Sequence, residues 1–305
     1  MKQFKHILYI IIILAILSCE KTNLNDSNDN QQLMTFNSSV ESTKAFQADS
    51  AVLKDVYGEF SVATFLASDD KTHYYSDVVS YTGSLWSSGA TRYWPVGNNL
   101  DMFAYSPIKD FIVIEDSETY ADYSLVFTSP SAIDDQIDLL AITITNQAYE
   151  NTNGIVDLKF KHILSSVKFS IGFTESDVTL EKIAINYVNI EKQRTYNFAK
   201  EEWGNSENEY FDSTDGLPTY IIVDENKTTA DTDTDPIIFD DIDNQLMIIP
   251  QPISTSESDP HYLSVQISYS LSGADTKTTD IIPLTAPIGG SYEQGCVYTY
   301  DITVK

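Results

Sequence analysis

Along most of this chain the apolar positions recur every second residue. Val156, Leu158, Phe160 and His162 alternate with Asp157, Lys159, Lys161 and Ile163; past Ser165-Ser166, Val167, Phe169 and Ile171 alternate with Lys168 and Ser170. Residues two apart share one face of a strand, so this period predicts two half-buried β-strands. Leu100, Met102 and Ala104 alternate with Asp101, Phe103 and Tyr105, and both sets are largely apolar, which predicts a strand buried on both faces. Phe60 and Val62 against Ala63 and Phe65, within Tyr57 to Leu66, predict the same. From Trp86 to Pro107 the order is a strand, a turn set by Pro95 and Gly97, and a second strand. Further strand candidates are Leu33–Val40, Ser124–Thr128, Ile137–Thr145, Leu180–Val188, Pro218–Val223, Gln245–Pro250, Tyr262–Leu271 and Val297–Val304. Their spacing leaves no room for helices between them, and no window past the N-terminus has sustained helical periodicity. The expected fold is therefore all-β, with two tandem β-sandwich domains of Greek-key or transthyretin-like type over residues 33–165 and 166–305.

The N-terminus departs from this pattern. Lys2 and Lys5 precede an apolar run, Ile7 to Leu17, that is too short for the roughly 20 residues of a membrane-spanning helix but suits a signal-peptide core. It ends in Leu17-Ser18-Cys19, which resembles a lipobox. The expectation is a lipoprotein signal peptide over residues 1–18, with Cys19 lipidated and attached to the outer membrane. Residues 19–32, rich in Asn, Asp and Ser, are expected to form a flexible tether. Lipidation of Cys19 leaves Cys296, which cannot form an internal disulfide alone and reads as a small half-buried residue.

Charge narrows the partners. Forty-five acidic residues stand against 18 Lys and Arg, a net charge of −27. Such a surface repels phosphate backbones, so nucleic acid is not an expected partner, and anionic lipid is repelled as well. The candidate chemistry is sparse. His73, His162 and His261 are far apart with no zinc-ligand spacing, and His162 at an inward strand position reads as a hydrogen-bonded core residue. Ser165-x-x-Lys168 lies on a predicted strand, where residues three apart face opposite ways, so it is no nucleophile-lysine pair. Asp231, Asp233, Asp235, Asp240, Asp241 and Asp243 alternate as calcium loops do, but the glycine and distal glutamate of an EF-hand are missing, and a solvated acidic loop is the reading. No phosphate loop, dinucleotide fingerprint or catalytic carboxylate pair is visible, so neither enzyme nor cofactor is expected. The 36 aromatic residues, 19 Tyr, 14 Phe and 3 Trp, read mainly as strand formers and core fillers, though a surface subset could stack on sugars.

Four landmarks in order carry a family resemblance: Tyr93-Trp-Pro with the following Leu100-x-x-Phe-Ala-Tyr-x-Pro107, then Phe160-x-His-x-Leu-Ser-x-Val-x-Phe169, Leu246-Met-Ile-Ile-Pro-Gln251, and Tyr292-Glu-Gln-Gly-Cys-Val-Tyr-Thr-Tyr300. Together they resemble the fimbrillin-like family of Bacteroidetes, the type V pilins and their lipoprotein relatives; the family's usual Trp is Tyr292 here. The resemblance implies a structural or adhesive subunit of a cell-surface fimbria, exported as a lipoprotein. It also implies that a trypsin-like protease removes the first strand, Leu33 to Val40, so that a strand from another pilin subunit takes its place. The matching scissile position is Lys44, before Ala45, where family members often have Arg; Lys54 is the nearest alternative. The candidate donor strand is the C-terminal one, whose apolar face carries Tyr298, Tyr300, Ile302 and Val304. The competing expectation is a surface lipoprotein that binds a host glycan or protein receptor without polymerising.

Overall fold

The computed structural model describes residues 32–305 except 42–49, 69, 116–118, 131–134, 176, 208, 212–219, 223–236, 240–244, 259 and 272–274. The described chain is almost entirely strand and connection, as its period of two requires. In the first half, β1 (Thr35–Val40), β2 (Glu59–Leu66), β3 (His73–Tyr81), β4 (Trp86–Ser88) and β5 (Leu100–Ser106) form one ring of strands with partners met later in the chain. β6 (Ile112–Glu115) and β7 (Ser124–Thr128) stand outside it, and β8 (Leu140–Gln147) and β9 (Ile155–His162) complete it. The order round the ring is β1-β4-β3-β2-β5-β8-β9, closed where β9 meets β1. Closure makes this half a barrel rather than two open sheets, and every pairing in it is antiparallel except β1 with β9.

The two-sided burial of β2 and β5 has a direct cause. Phe60, Val62, Leu100, Met102 and Ala104 point into the barrel core. Ala63, Phe65, Phe103 and Tyr105 point outward and would meet water if the barrel stood alone. They pack instead into a second core with Tyr123, Leu125, Phe127, Tyr196 and Phe198. Around Phe103 the rings of Tyr120, Tyr123, Phe198 and Phe65 lie 4.8 to 5.5 Å away, so the aromatic surplus is mostly interior.

The covering sheet draws on both halves of the sequence. It runs β6-β7 and then β12 (Gln193–Asn197) and β13 (Glu202–Trp203), with β12 antiparallel to β7 over five residue pairs. The preceding strands β10 (Ser165–Phe173) and β11 (Val178–Val188) and the later β14 (Tyr220–Ile222), β15 (Ile237–Phe239), β16 (Leu246–Ile248), β17 (Gln251–Pro252), β18 (Tyr262–Leu271), β19 (Lys277–Thr278), β20 (Ile282–Pro283), β21 (Ser291–Tyr292) and β22 (Val297–Val304) make up the rest. β10 pairs with β15, β16 and β22, while β11 pairs with β14 and β18, which also carries β19 and β20. A single core lies between these two sheets, with Val167, Phe169, Ile171, Ile183, Ile185, Val265 and Ile267 all fully buried.

Local details differ from the sequence pattern where tertiary contacts decide. The strand before the Pro95–Gly97 turn stops at Ser88, because residues 92–94 pair with residues 32–34 instead: Met34 N–H donates to Arg92 O and Trp94 N–H to Gln32 O, both at 2.9 Å. Residues 52–57 form one wide helical turn that ends at Gly58, whose N–H donates to Leu53 O. β3 and β6 carry exposed Tyr74, Val78 and Val113 on their outer faces, which obscured their period.

Candidate assembly site

The first and last described strands are seated alike. β1 runs parallel to β9 from Thr35↔Ile155 to Val40↔Phe160, and β22 runs parallel to β10 from Ser166↔Val297 to Phe173↔Val304. Consecutive strands of a meander pair antiparallel, so a parallel partner must come from far along the chain. Both strands are therefore contributed by chain ends.

Phe36, Ser38 and Val40 form the inward face of β1, with Thr35 and Asn37 outside. The outer face is tied to β9 by Asn37 Nδ2 donating to Asp157 Oδ1 at 2.8 Å. Odd-numbered residues aim their backbone groups at β9, as in Thr35 N–H to Gly154 O and Glu41 N–H to Phe160 O. Even-numbered residues face β4, yet β1 and β4 share a single pair, Phe36↔Trp86. Past it, Val40 N–H is met by the Ser50 hydroxyl at 3.2 Å. A groove of about 620 Å³ lies over this part of β1, reaching from Tyr81, Leu85 and Trp86 on one side to Ile155 and Asp157 of β9 on the other. The barrel is thus closed firmly on one side of β1 and loosely on the other.

β22 is held by its tyrosines. Tyr298, Tyr300, Ile302 and Val304 point toward the core between the two sheets, with Val304 buried and the others half-buried. The Tyr300 hydroxyl donates to Thr285 O at 2.9 Å, so the Tyr292 hydroxyl, 2.8 Å away, must be the donor to it. Glu293 N–H donates to the Tyr298 hydroxyl at 2.9 Å. Burial pushes the Tyr292 hydroxyl well above the ordinary tyrosine range and raises that of Tyr300, so both stay neutral donors. β22 begins after Gly295, which has φ +67° and where an added Cβ would come within 3.2 Å of His162 O.

His162 is a core residue as expected. Its Nδ1 lies 2.7 Å from Asp138 Oδ2, and the two side chains are 1% and 4% exposed. Asp138 also exchanges backbone hydrogen bonds with the Tyr57 hydroxyl. Burial pushes the Asp138 carboxyl above its usual range, and the His162 partner opposes that rise. His261 Nδ1 lies 3.0 Å from Asn189 O, and because a carbonyl oxygen only accepts, Nδ1 is the donor there. Ser165 and Lys168 sit on β10 and face opposite ways, and no cluster of three metal-ligating side chains occurs among the described residues. Lys54 lies in the helical turn with its Nζ 5.7 Å from the Tyr81 ring centre, a conformation a protease would first have to unfold. Cys19, Lys44, Ala45 and the aspartates at 231, 233, 235, 240, 241 and 243 lie outside the described residues.

Comparison with known proteins places this geometry. The profile of the family described as fimbrillin-like matches residues 43–305. The chain belongs to the fimbrillin-like family. This is a family of fimbrial and adhesion proteins, not of enzymes. Fimbrium subunit Fim1C of Phocaeicola vulgatus is 21% identical, in an alignment spanning 99% of this chain and 93% of that protein. Among solved structures, a fimbrial protein from Bacteroides vulgatus aligns with a TM-score of 0.63 at 16% identity, covering 90% of this chain and 95% of that one. A candidate cell-adhesion protein from Bacteroides ovatus aligns with a TM-score of 0.54 at 13% identity, covering 90% and 92%. At such identities the structural likeness speaks for the fold. The family match begins at residue 43, so β1 lies ahead of it.

Proposed function

We propose that this protein is a structural or adhesive subunit of a cell-surface fimbria, exported as a lipoprotein through Cys19 and assembled with other subunits by strand exchange. The observation that carries the reading is the seat of β1: six rungs to β9, one to β4, and a groove over the strand between them. In this reading a cut between Lys44 and Ala45 detaches β1. Its departure uncovers the core under Met34, Phe36 and Val40, each at most 7% exposed. Reburying three such side chains is worth about 1.5–3 kcal/mol apiece, and an incoming strand also restores the β9 ladder. β22 is the candidate strand that this chain donates to another subunit, with Tyr298, Tyr300, Ile302 and Val304 as the inserted face; to donate, it must first leave β10. Adhesion has its own support in Tyr74 and Tyr93, exposed to 40% and 38% and joined by a hydrogen bond from the Tyr74 hydroxyl to Tyr93 O.

The test uses soluble protein from Glu20 onward, treated with a lysine-specific protease and run unboiled on a denaturing gel. A single cut at Lys44, and a detergent-resistant complex when the cut protein is mixed with a labelled Leu33–Glu41 peptide, are expected. Random nicking, or a cut protein that takes up no strand, would overturn strand exchange and leave a surface adhesin. Loss of lipid labelling in Cys19→Ala tests the anchor separately.

A further inference from the structure

The middle of β1 is occupied by a residue that suits its surroundings poorly. Ser38 is 4% exposed, and its hydroxyl has no hydrogen-bond partner among the described residues. A buried hydroxyl without a partner is costly, and an apolar side chain would ordinarily stand here. Size explains why a larger one does not. The Phe60 ring lies 6.0 Å from Phe36 and 5.5 Å from Phe160, the residue paired with Val40. These rings link the core at the Phe36 end of β1 to the core at the Val40 end, and Ser38 lies between those ends on the same inward face. Opposite Ser38, Leu158 is 1% exposed, and Trp86 stands 4.9 Å from Phe60 on the other side. The seat of β1 therefore reads large, small, medium at alternate residues.

Resting on the strand-exchange reading, we infer that this seat selects its partner: it accepts a strand with glycine, alanine or serine between two larger apolar residues, and it rejects the C-terminal strand of a second copy of this chain. β22 has no such residue. With Tyr298 at the Phe36 position and Ile302 at the Val40 position, Tyr300 falls on Ser38. Sliding by two residues puts Ile302 there, and sliding the other way puts Tyr298 there with Cys296 at the Phe36 position; two residues further, Cys296 falls there but the polar Gln294 takes the Phe36 position. Overfilling a packed core forces side chains off their rotamers and shifts backbone, so each register is disfavoured. The subunit that docks on this chain is a different one, and specificity resides in what the middle position excludes.

Two measurements on the full soluble chain test this. In thermal unfolding, Ser38→Ala should raise the midpoint by about 2 °C, because the stranded hydroxyl is removed, and Ser38→Tyr should lower it by more than about 5 °C. An unchanged midpoint for Ser38→Tyr would show that the seat admits a ring and would overturn the inference. For the second, residues 42–49 carry a site for a specific protease, and the cut protein is offered labelled peptides in anisotropy titrations. The Val297–Lys305 peptide carrying Tyr300→Ser should bind at least about tenfold more tightly than its parent. Equal binding, or tighter binding by the parent, overturns the inference while leaving strand exchange intact. If a Leu33–Glu41 peptide itself fails to exchange into the cut protein, the strand-exchange reading falls and the inference with it.

Discussion

Removing one hydroxyl, in Tyr300→Phe, isolates what holds β22 in place. The Tyr300 oxygen takes part in two hydrogen bonds, accepting from Tyr292 and donating to Thr285 O. These losses are unequal. Thr285 is exposed, and water can satisfy its carbonyl. Tyr292 is 1% exposed and is left with a buried hydroxyl lacking an acceptor, a loss of about 1–3 kcal/mol. The ring of Tyr300 is retained, so its offset stack on Phe169 at 6.3 Å should persist and no cavity forms. We expect about 1–2 kcal/mol of destabilisation, or roughly 2–6 °C in the unfolding midpoint for a chain of this size. The assay is urea unfolding followed by fluorescence, with Tyr292→Phe and the double variant measured beside it. With both hydroxyls gone no buried donor is stranded, so the double variant should lie closer to wild type than Tyr300→Phe does. A double variant that is the sum of its singles would refute the reasoning, since it would mean that the two hydroxyls do not depend on each other.

Other consequences follow from the same geometry. In Asp138→Asn the partner of His162 can no longer ionise. Burial raises the Asp138 pKa in the folded state, so its contribution to stability is full below the ordinary value of 3.8 and is lost as pH rises through the raised value. The unfolding free energy of wild type minus that of Asp138→Asn should therefore fall as pH rises above the ordinary carboxyl value of 3.8; a flat difference would contradict the burial argument. In Gly154→Ala, a backbone at φ +84° receives a Cβ within 3.1 Å of Leu33 O. The expected loss exceeds about 1 kcal/mol, and hydrogen exchange at the Thr35 amide, which donates to Gly154 O, should quicken more than exchange in β11. Equal acceleration in both strands would show that β1 does not open on its own.

The alternation of β9 was readable because one of its faces is wet: Ile155, Asp157, Lys159 and Lys161 are exposed while Val156, Leu158, Phe160 and His162 are buried. β2 and β5 were readable for the opposite reason, since a strand apolar on both sides must be covered twice. Sequence could not say what covers them. That role falls to β7 and to β12, the latter with Arg194, Thr195 and Asn197 on a partly wet strand whose pairing spans more than 60 positions of chain. Nor could it show that Ser38, an ordinary polar residue in the first predicted strand, sits buried on the same face as Phe36. Period and the four landmark segments determined an all-β chain of the fimbrillin-like type, because each is a local property that side chains express wherever the strand ends up. The closure of β1 against β9, the parallel seat of β22 and the small pocket at Ser38 were decided only by tertiary structure, because each depends on which distant strand arrives to share a hydrogen-bond ladder or a core.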